Sequence, residues 1–576
     1  MSPIRHAIFT EVSAPLSARP RLELRRERNW KRPAIRVHAR PDAAPPSEWG
    51  SLLGDLSRGT RTPAELEVVW RVHDKTHIEF AIDYPFEREP AAYTWEAFFF
   101  VPDSFRLVQT TYDKKQIYDD LLSYVRLAVP ELPFAELSES CDPEKPGSLV
   151  ADLRATIHRA SGHEDGSPDS KNAVRRLRVF ACMVRASGLE AQRGMLHEIE
   201  HSGGADPACR AAQTFVSIAS RATRGFRKLV AEAEGLDLPS EVRVALKWVD
   251  EDISLFIEAL TATASVEIHQ RAKEEGPRPP PAGQEAWAEV AGRLASEAVS
   301  EARYRKGRGY PSVGHDDATS RDVEHIEFRR HVLKRFTSSV LWLRHEVREG
   351  ATWILHALYA LAAAVAMAFA VVATIRATEM QQYLTLYVAL LVVSYAVKDR
   401  MKAMLQSALA RWAEKRFPDR AWTIRDEERS DSIGVVKERA GFRDFAHLPK
   451  GALDARRMTR EHALEEHARP ETVLWHQKTV EVAPRREGRL PSPVMTEIFR
   501  LNIGPWLAHT DDPNRTITFA DPDEAVVCSV TARRVYNINV VYRLRRTSAK
   551  GGAEGEWHRI RVVVSRKGIE RIDPIV

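Results

Sequence analysis

The sequence predicts an α+β membrane protein: an N-terminal β-meander joined to an α-helical bundle, a central two-helix transmembrane hairpin, and a C-terminal α+β domain ending in an antiparallel meander. Three observations predict it. Two apolar runs, 353–375 and 383–397, are separated only by the polar link 376–382. Apolar and polar residues alternate over 65–107 and again beyond 516, the period of half-buried strands. From about 113 to 306 the apolar residues recur every three or four positions, the period of helices.

The hairpin is the most specific signal. A bilayer core of ~30 Å needs ~20 apolar residues at ~1.5 Å each. The run 353–375 is long enough and holds no Asp, Glu, Lys or Arg. The second run has only about 15 residues, extended by Gln381 and Gln382 at one end and by a snorkelling Lys398 at the other. Arg329, Arg330, Lys334, Arg335, Arg344 and Arg348 precede the hairpin, and Lys398, Arg400, Lys402, Arg411, Lys415 and Arg416 follow it, whereas the link offers only Arg376. The positive-inside rule then puts both flanking parts, and both termini, on the cytoplasmic side. The simplest location is a bacterial inner membrane. Ala360, Ala364 and Ala368 form one small-residue row, Ala362, Ala366 and Ala370 a second, and Thr385 with Ala389 a shorter one. Such rows let helices approach closely, within one hairpin or between copies in a homo-oligomer. No Asp, Glu, Lys or Arg lies inside either run, which argues against transport.

Seven segments follow in order. Residues 1–45 are a basic arm rich in Arg, with Trp30 its single stacking aromatic, which argues against nucleic acid as the main partner. Residues 46–110 form a β-rich subdomain, with a hairpin turning at Asp74–Lys75 and a further strand around Tyr93, Trp95, Ala97, Phe99 and Val101. Residues 111–306 form a helical domain. Its helices are expected at 113–130 behind an Asp113 cap, 147–161, 171–187, 189–201, 207–234, 240–273 and 285–304, with a Pro-rich linker at 276–283. Residues 307–350 contain a loop and a juxtamembrane amphipathic helix carrying Phe328, Val332, Phe336 and Val340. The hairpin occupies 351–398, and a second amphipathic helix 399–425. The C-terminal α+β domain, 426–576, is expected to hold a strand at 472–482, a short helix at 494–507, and a meander of strands at 516–519, 524–531, 535–544, 557–565 and 569–572.

Composition adds little: 576 residues, net charge +5, 29% charged and 44% hydrophobic are ordinary for two to four domains. Four scattered cysteines form no C-x-x-C pair and suit a reducing compartment. Residues 1–19 lack a continuous apolar core, so no cleaved signal peptide is expected.

One motif looks catalytic. His197-Glu198-Ile199-Glu200-His201 matches H-E-x-x-H, in which His197 and His201 share a helix face and ligate zinc while Glu198 acts as base on the bound water. A chance match arises in roughly one chain in twenty of this His and Glu content. Glu200 also puts a charge where such sites are usually apolar, and no third ligand declares itself. His462 and His467 are five apart and lie on different helix faces. No Walker A loop, dinucleotide fingerprint or nucleophile elbow occurs. The leading expectation is a membrane-anchored, cytoplasm-facing scaffold or signalling protein that binds lipid and an unidentified protein partner. The alternatives are a membrane-bound zinc hydrolase using the HEIEH motif, and a lipid- or nucleic-acid-binding module acting through the basic arm.

Overall fold

The structure is a computed structural model that describes residues 68–130, 132–201, 205–274, 281–312, 320–349, 352–379, 382–426, 432–457, 471–484, 494–521, 526–547 and 555–575. The basic arm 1–45, most of the Pro-rich linker, and His462 with His467 lie outside the described residues.

The chain is mixed α+β, with strands near both ends. Three strands open it: β1 (Val68–Val72), β2 (His77–Pro85) and β3 (Ala91–Pro102). The β1–β2 turn is held by the Asp74 carboxylate, which accepts from the Thr76 and His77 amides at 2.7 and 2.8 Å. Next come α1 (Lys114–Asp119), β4 (Leu121–Leu127), α2 (Phe134–Glu139), α3 (Leu149–Ala160), α4 (Pro168–His201), α5 (Ala205–Ala233), α6 (Ser240–Glu274), α7 (Pro281–Gly307) and α8 (Ser320–Ser338). After β5 (Arg344–Glu349) come the two long helices α9 (Thr352–Thr378) and α10 (Leu384–Arg416), then β6 (Arg420–Arg425), β7 (Ser432–Arg443), α11 (Lys450–Arg457), β8 (Glu471–Val482), β9 (Val494–Asn502) and the single turn α12 (Gly504–Leu507). The end is all β: β10 (Asn514–Asp521), β11 (Val526–Arg533), β12 (Tyr536–Thr547), β13 (His558–Ser565) and β14 (Gly568–Ile575).

Two sheets pack face to face. The larger has the order β14-β13-β12-β3-β8-β7-β6-β5, the smaller β1-β2-β9-β4. Ile78, Phe80, Ile82 and Tyr84 alternate inward as expected, and Phe80 stacks on Phe499 with ring centroids 4.9 Å apart and lies 5.8 Å from Trp95. β3 is buried on both faces. Tyr93, Trp95 and Phe99 look into the sandwich, while Phe98 and Phe100 pack on the far side with Leu448, Ala452 and Ala455 beneath α11.

The sheets cross the boundaries expected between the N- and C-terminal parts. β3 lies between β8 and β12, with Phe100 opposite both Val473 and Asn539, and β9 lies between β2 and β4. The parts on either side of the helical hairpin therefore share both sheets. The hairpin is an insertion between the adjacent strands β5 and β6, which pair Glu349 with Arg420 at its base.

Several elements differ from expectation. Asp113 caps a helix through a capping box with Gln116, but α1 stops at Asp119 and the chain enters β4, because β9 offers a strand edge that buries Val125 and Leu127. The segment 494–507 is mainly β9, whose inward residues Met495, Phe499 and Leu501 fill the sandwich. The two helices expected at 171–187 and 189–201 are one, α4. Gly188, between the two expected ranges, sits inside it where Phe256 of α6 comes so close that a Cβ would lie 2.9 Å from Cε1. The amphipathic helix expected ahead of the hairpin is α8, and it packs on the bundle. Leu333 and Thr337 are buried and Phe336 stands edge-on to Trp248, leaving Phe328 and Val332 outward. The amphipathic segment expected at 399–425 continues α10 without a break and then becomes β6.

α6 is the axis of the bundle and touches α4, α5, α7 and α8. Its consecutive residues Asp250, Glu251 and Asp252 are all buried. Successive helical residues point ~100° apart, so each meets its own set of donors. Asp250 accepts from the Tyr304 and Tyr310 hydroxyls at 2.8 and 2.9 Å, Glu251 binds Arg329, and Asp252 accepts from Arg185 at 2.5 Å and Thr337 at 3.2 Å.

Gly225 of α5 gives a direct test of this packing. A Cβ there would lie 1.7 Å from the backbone oxygen of Cys141, an atom that cannot rotate away. Gly225→Ala is expected to destabilise the protein by about 3 kcal/mol or more, read as a lowered midpoint in chemical denaturation. An unchanged midpoint would refute the close approach of α5 to this turn.

Candidate functional site

The apolar helices come first. Trp353–Thr378, 26 residues, is long and apolar enough to cross a membrane, and 11% of its apolar window is buried. α10 is apolar only as far as Val397, and by length and composition it does not meet the same test. The two-span hairpin is thus reduced to one qualifying helix packed against a longer, half-polar one. Of the alanine rows on α9, Ala362 and Ala366 are buried, at 1% exposure each, so this row forms the seam with α10. The row Ala360, Ala364 and Ala368 faces outward. On α10 the seam runs through Tyr387, Leu391 and Ser394, while Thr385 and Ala389 are exposed. Trp353, Phe369, Val372, Leu384, Val392 and Tyr395 all stand exposed. At the end of the α10 apolar stretch the Lys398 ammonium rests 4.1 Å above the Tyr395 ring, and at the link Arg376 pairs with Glu379 at 3.3 Å.

The HEIEH motif occupies the last turns of α4. His197 and His201 lie one turn apart on it, as the spacing requires, with His197 and Glu198 exposed and Ile199 buried. The His201 side chain lies outside the described residues. Among the described residues no group of three or more His, Cys, Asp or Glu is placed to hold a metal.

Two polar clusters were invisible to motif reading. The first lies inside the sandwich. Lys478 of β8 is fully buried and binds Glu438 of β7 at 2.8 Å and Glu497 of β9 at 2.5 Å, with Ser123 Oγ at 3.2 Å. The Tyr84 hydroxyl donates to Glu497 at 3.2 Å. Its ammonium also lies 4.9 Å from the Phe499 ring and 5.1 Å from Trp422. His476 sits beside it at 3.7 Å from Glu438, too long for a hydrogen bond. Burial pushes the Glu438 carboxyl up, but the Lys478 charge and His476 outweigh it and hold Glu438 well below the carboxylate range. Burial likewise opposes the Lys478 charge, and the two carboxylates overcome it and raise its pKa. A lysine so held is neither a nucleophile nor a base; it ties the two sheets together. Its signal in the sequence is a charge at inward parity, in the run Leu474, His476, Lys478, Val480, Val482.

The second cluster lines a small open cleft between the outer face of the small sheet and α4. Asp83, Arg126 and Thr496 come from the sheet, and Ser187 and Glu190 from α4. Thr496 donates to Asp83 at 2.6 Å, and the Ser187 hydroxyl donates to the Leu132 carbonyl at 2.6 Å. The arrangement brings together two carboxylates, a guanidinium and two hydroxyls that are both already donated within the protein.

Two tests follow. Lys478→Met strands two carboxylates in the sandwich and is expected to cost about 3–5 kcal/mol. In the wild type a depressed Glu438 stabilises the fold above the ordinary carboxylate value of about 4.3, and that stability is lost as pH falls toward its folded pKa. Without the ammonium, the main influence that lowers the Glu438 carboxyl is gone and burial, which raises it, gains weight. The deficit of the variant is therefore greatest near pH 7 and narrows toward pH 4 in thermal melts. A deficit independent of pH would contradict this charge assignment. For the HEIEH motif, elemental analysis of purified protein beside His197→Ala decides: stoichiometric zinc that is lost in the variant establishes the site, and equal metal content in both removes it. Comparison with protein-family models, with curated proteins and with solved structures returns no match.

Proposed function

We propose that this chain is a membrane-anchored scaffold or signalling protein, an α+β head held at the cytoplasmic face of a bilayer by the α9–α10 hairpin. The observation that carries the reading is the exposure of the hairpin. A soluble protein rarely leaves a contiguous apolar patch beyond a few hundred Å² open to water, yet α9 is apolar over 26 residues with 11% of its apolar window buried. A core helix of the same composition would be covered. Lys398 over Tyr395 fits the aromatic and basic belt of a membrane interface. The basic residues flanking the hairpin favour the cytoplasmic side for the head, and the outward alanine row then meets lipid.

The scaffold role rests on how the hairpin is attached. Its two ends enter neighbouring strands of the large sheet, paired residue by residue from Glu349–Arg420 to Arg344–Arg425. The anchor is therefore joined to the head by two residues on one side, 350–351, and three on the other, 417–419. Such a joint fixes the head at the membrane surface and presents its polar cleft to partners.

The same pairing supplies the experiment. Because Glu349 and Arg420 are cross-strand neighbours, replacing 350–419 by a short Asn-Gly turn closes β5 and β6 into an ordinary hairpin. The full chain is expected to stay with membranes through an alkaline carbonate wash, and the excised chain to be soluble with a cooperative melt. Release of the full chain by carbonate, or membrane retention of a folded excised chain, would defeat the anchor. Crosslinking of the full chain in its native membrane that recovers no protein partner would defeat the scaffold role.

A further inference from the structure

The two arms of the hairpin are unequal. α9 is apolar over 353–375, ~35 Å at ~1.5 Å per residue, but α10 only over 384–397, ~21 Å. Residues 379–383 link them, so the far ends of both arms lie level and the helices return antiparallel along one seam. The apolar part of α10 therefore ends ~14 Å short of the foot of α9. Over that distance α9 still turns Trp353, Ala357, Ala360 and Leu361 outward, and α10 beside it carries charge.

That charge is almost all positive. Lys398, Arg400, Lys402 and Arg411 follow the apolar part, and Asp399 is the one acid between Leu384 and Ala413. Arg400, Lys402 and Arg411 are exposed and Lys398 is half-buried. Among the described residues no carboxylate pairs with any of these four cations. At ~100° per residue, Arg400, Ser407 and Arg411 fall within ~40° of one another, on the side away from the seam. Met404, Ala408 and Trp412 fall within ~80° on one flank, and Met404 and Trp412 are exposed. The lower part of α10 thus has a polar back and an apolar flank that extends the apolar surface of α9.

Such a segment fits the headgroup layer of an anionic bilayer. It continues the apolar part of α10 in one unbroken helix, which keeps it at the membrane surface. A second copy of the segment brings the same excess of positive charge, which disfavours self-contact. An upright hairpin would sink Lys398 ~14 Å below the level of Trp353. Packed helix axes lie ~8–10 Å apart, so a tilt of ~30° with α10 uppermost raises it by ~5 Å. The Lys398 stem snorkels across most of the remainder, and Arg400, Lys402 and Arg411, nearer the base, lie higher still. We infer that α10 beyond Val397 lies in the headgroup layer, where Lys398, Arg400, Lys402 and Arg411 bind the phosphates of anionic phospholipids. This site rests on the membrane-anchor reading and gives it a lipid class.

The test uses the full chain reconstituted in phosphatidylcholine vesicles with a trace of spin-labelled phosphatidylglycerol or spin-labelled phosphatidylcholine. The lipid immobilised at the protein is measured by electron paramagnetic resonance. At low ionic strength the wild type is expected to hold phosphatidylglycerol over phosphatidylcholine by roughly threefold or more, and the preference should shrink at high salt. Lys398→Gln/Arg400→Gln/Lys402→Gln/Arg411→Gln should bring it to parity. Lys398→Arg/Lys402→Arg should keep it, Asp399→Asn should raise it, and Arg376→Gln at the link should leave it unchanged. Parity in the wild type would overturn the site. So would a preference that survives the fourfold variant, or one lost in Arg376→Gln or in the Lys-to-Arg pair. Flotation with pure phosphatidylcholine vesicles scores the anchor separately. A chain that floats only with phosphatidylglycerol vesicles, and loses this in the fourfold variant, keeps the basic site and defeats the anchor. A chain that floats with neither defeats both.

Discussion

The placement of β3 between β8 and β12 is the constraint on which the rest of the structure depends. It is the strand that joins the two ends of the chain into one sheet, and its twelve residues pair along their full length with β8. Everything on its inner face, the small sheet included, packs against Tyr93, Trp95 and Phe99, and the α11 layer packs against Phe98 and Phe100. A strand buried on both faces needs apolar residues at both parities, which the run Ala97-Phe98-Phe99-Phe100-Val101 supplies.

Charge does within the helical bundle what β3 does for the sheets. The Asp250-Glu251-Asp252 run distributes three buried carboxylates to partners on several helices. Each carboxylate has a specific donor, so rotation or sliding of α6 breaks all three sets at once. Buried ionic groups are weak evidence for net stability. Their value here is register: they admit one rotational setting of α6, where an all-apolar helix would admit several.

Legibility in the sequence followed locality. The C-terminal strands, the β1–β2 hairpin and most bundle helices were readable because alternation and 3.6-residue periods are local properties, whereas the expected single C-terminal meander is divided, with β10 and β11 pairing apart from β12–β14. β4 and β9 were misread as helices because Leu121, Leu122 and Val125, or Ile498 and Leu501, fit a helical stripe as well as a strand, and only the sheet edge offered by the partner strand decides between them. β6 and β7 carry enough Arg, Lys and Glu to hide their inward Trp422, Ile424, Val436 and Ala440. The second apolar run was visible, but its shortness was the warning that α10 changes character at Lys398. Of the polar clusters, Lys478 had a readable cue in its inward parity. Its partners Glu438 and Glu497 lie 40 and 19 residues away on other strands, and no local motif joins them.

The threading of β3 also sets a schedule for the ribosome. Phe100 pairs with Val473 and Asn539, so the central strand waits through about 370 residues of further synthesis, roughly 20–75 s at ~5–20 residues per second. During that interval the aromatic run 98–100 has no sheet, and the apolar helices emerge before the head is complete. Newly made chains therefore carry this apolar strand unpaired until β8 and β12 are made. A chain truncated anywhere before β8 exposes β3 permanently, which makes it a substrate for proteolysis instead of a shortened, working protein.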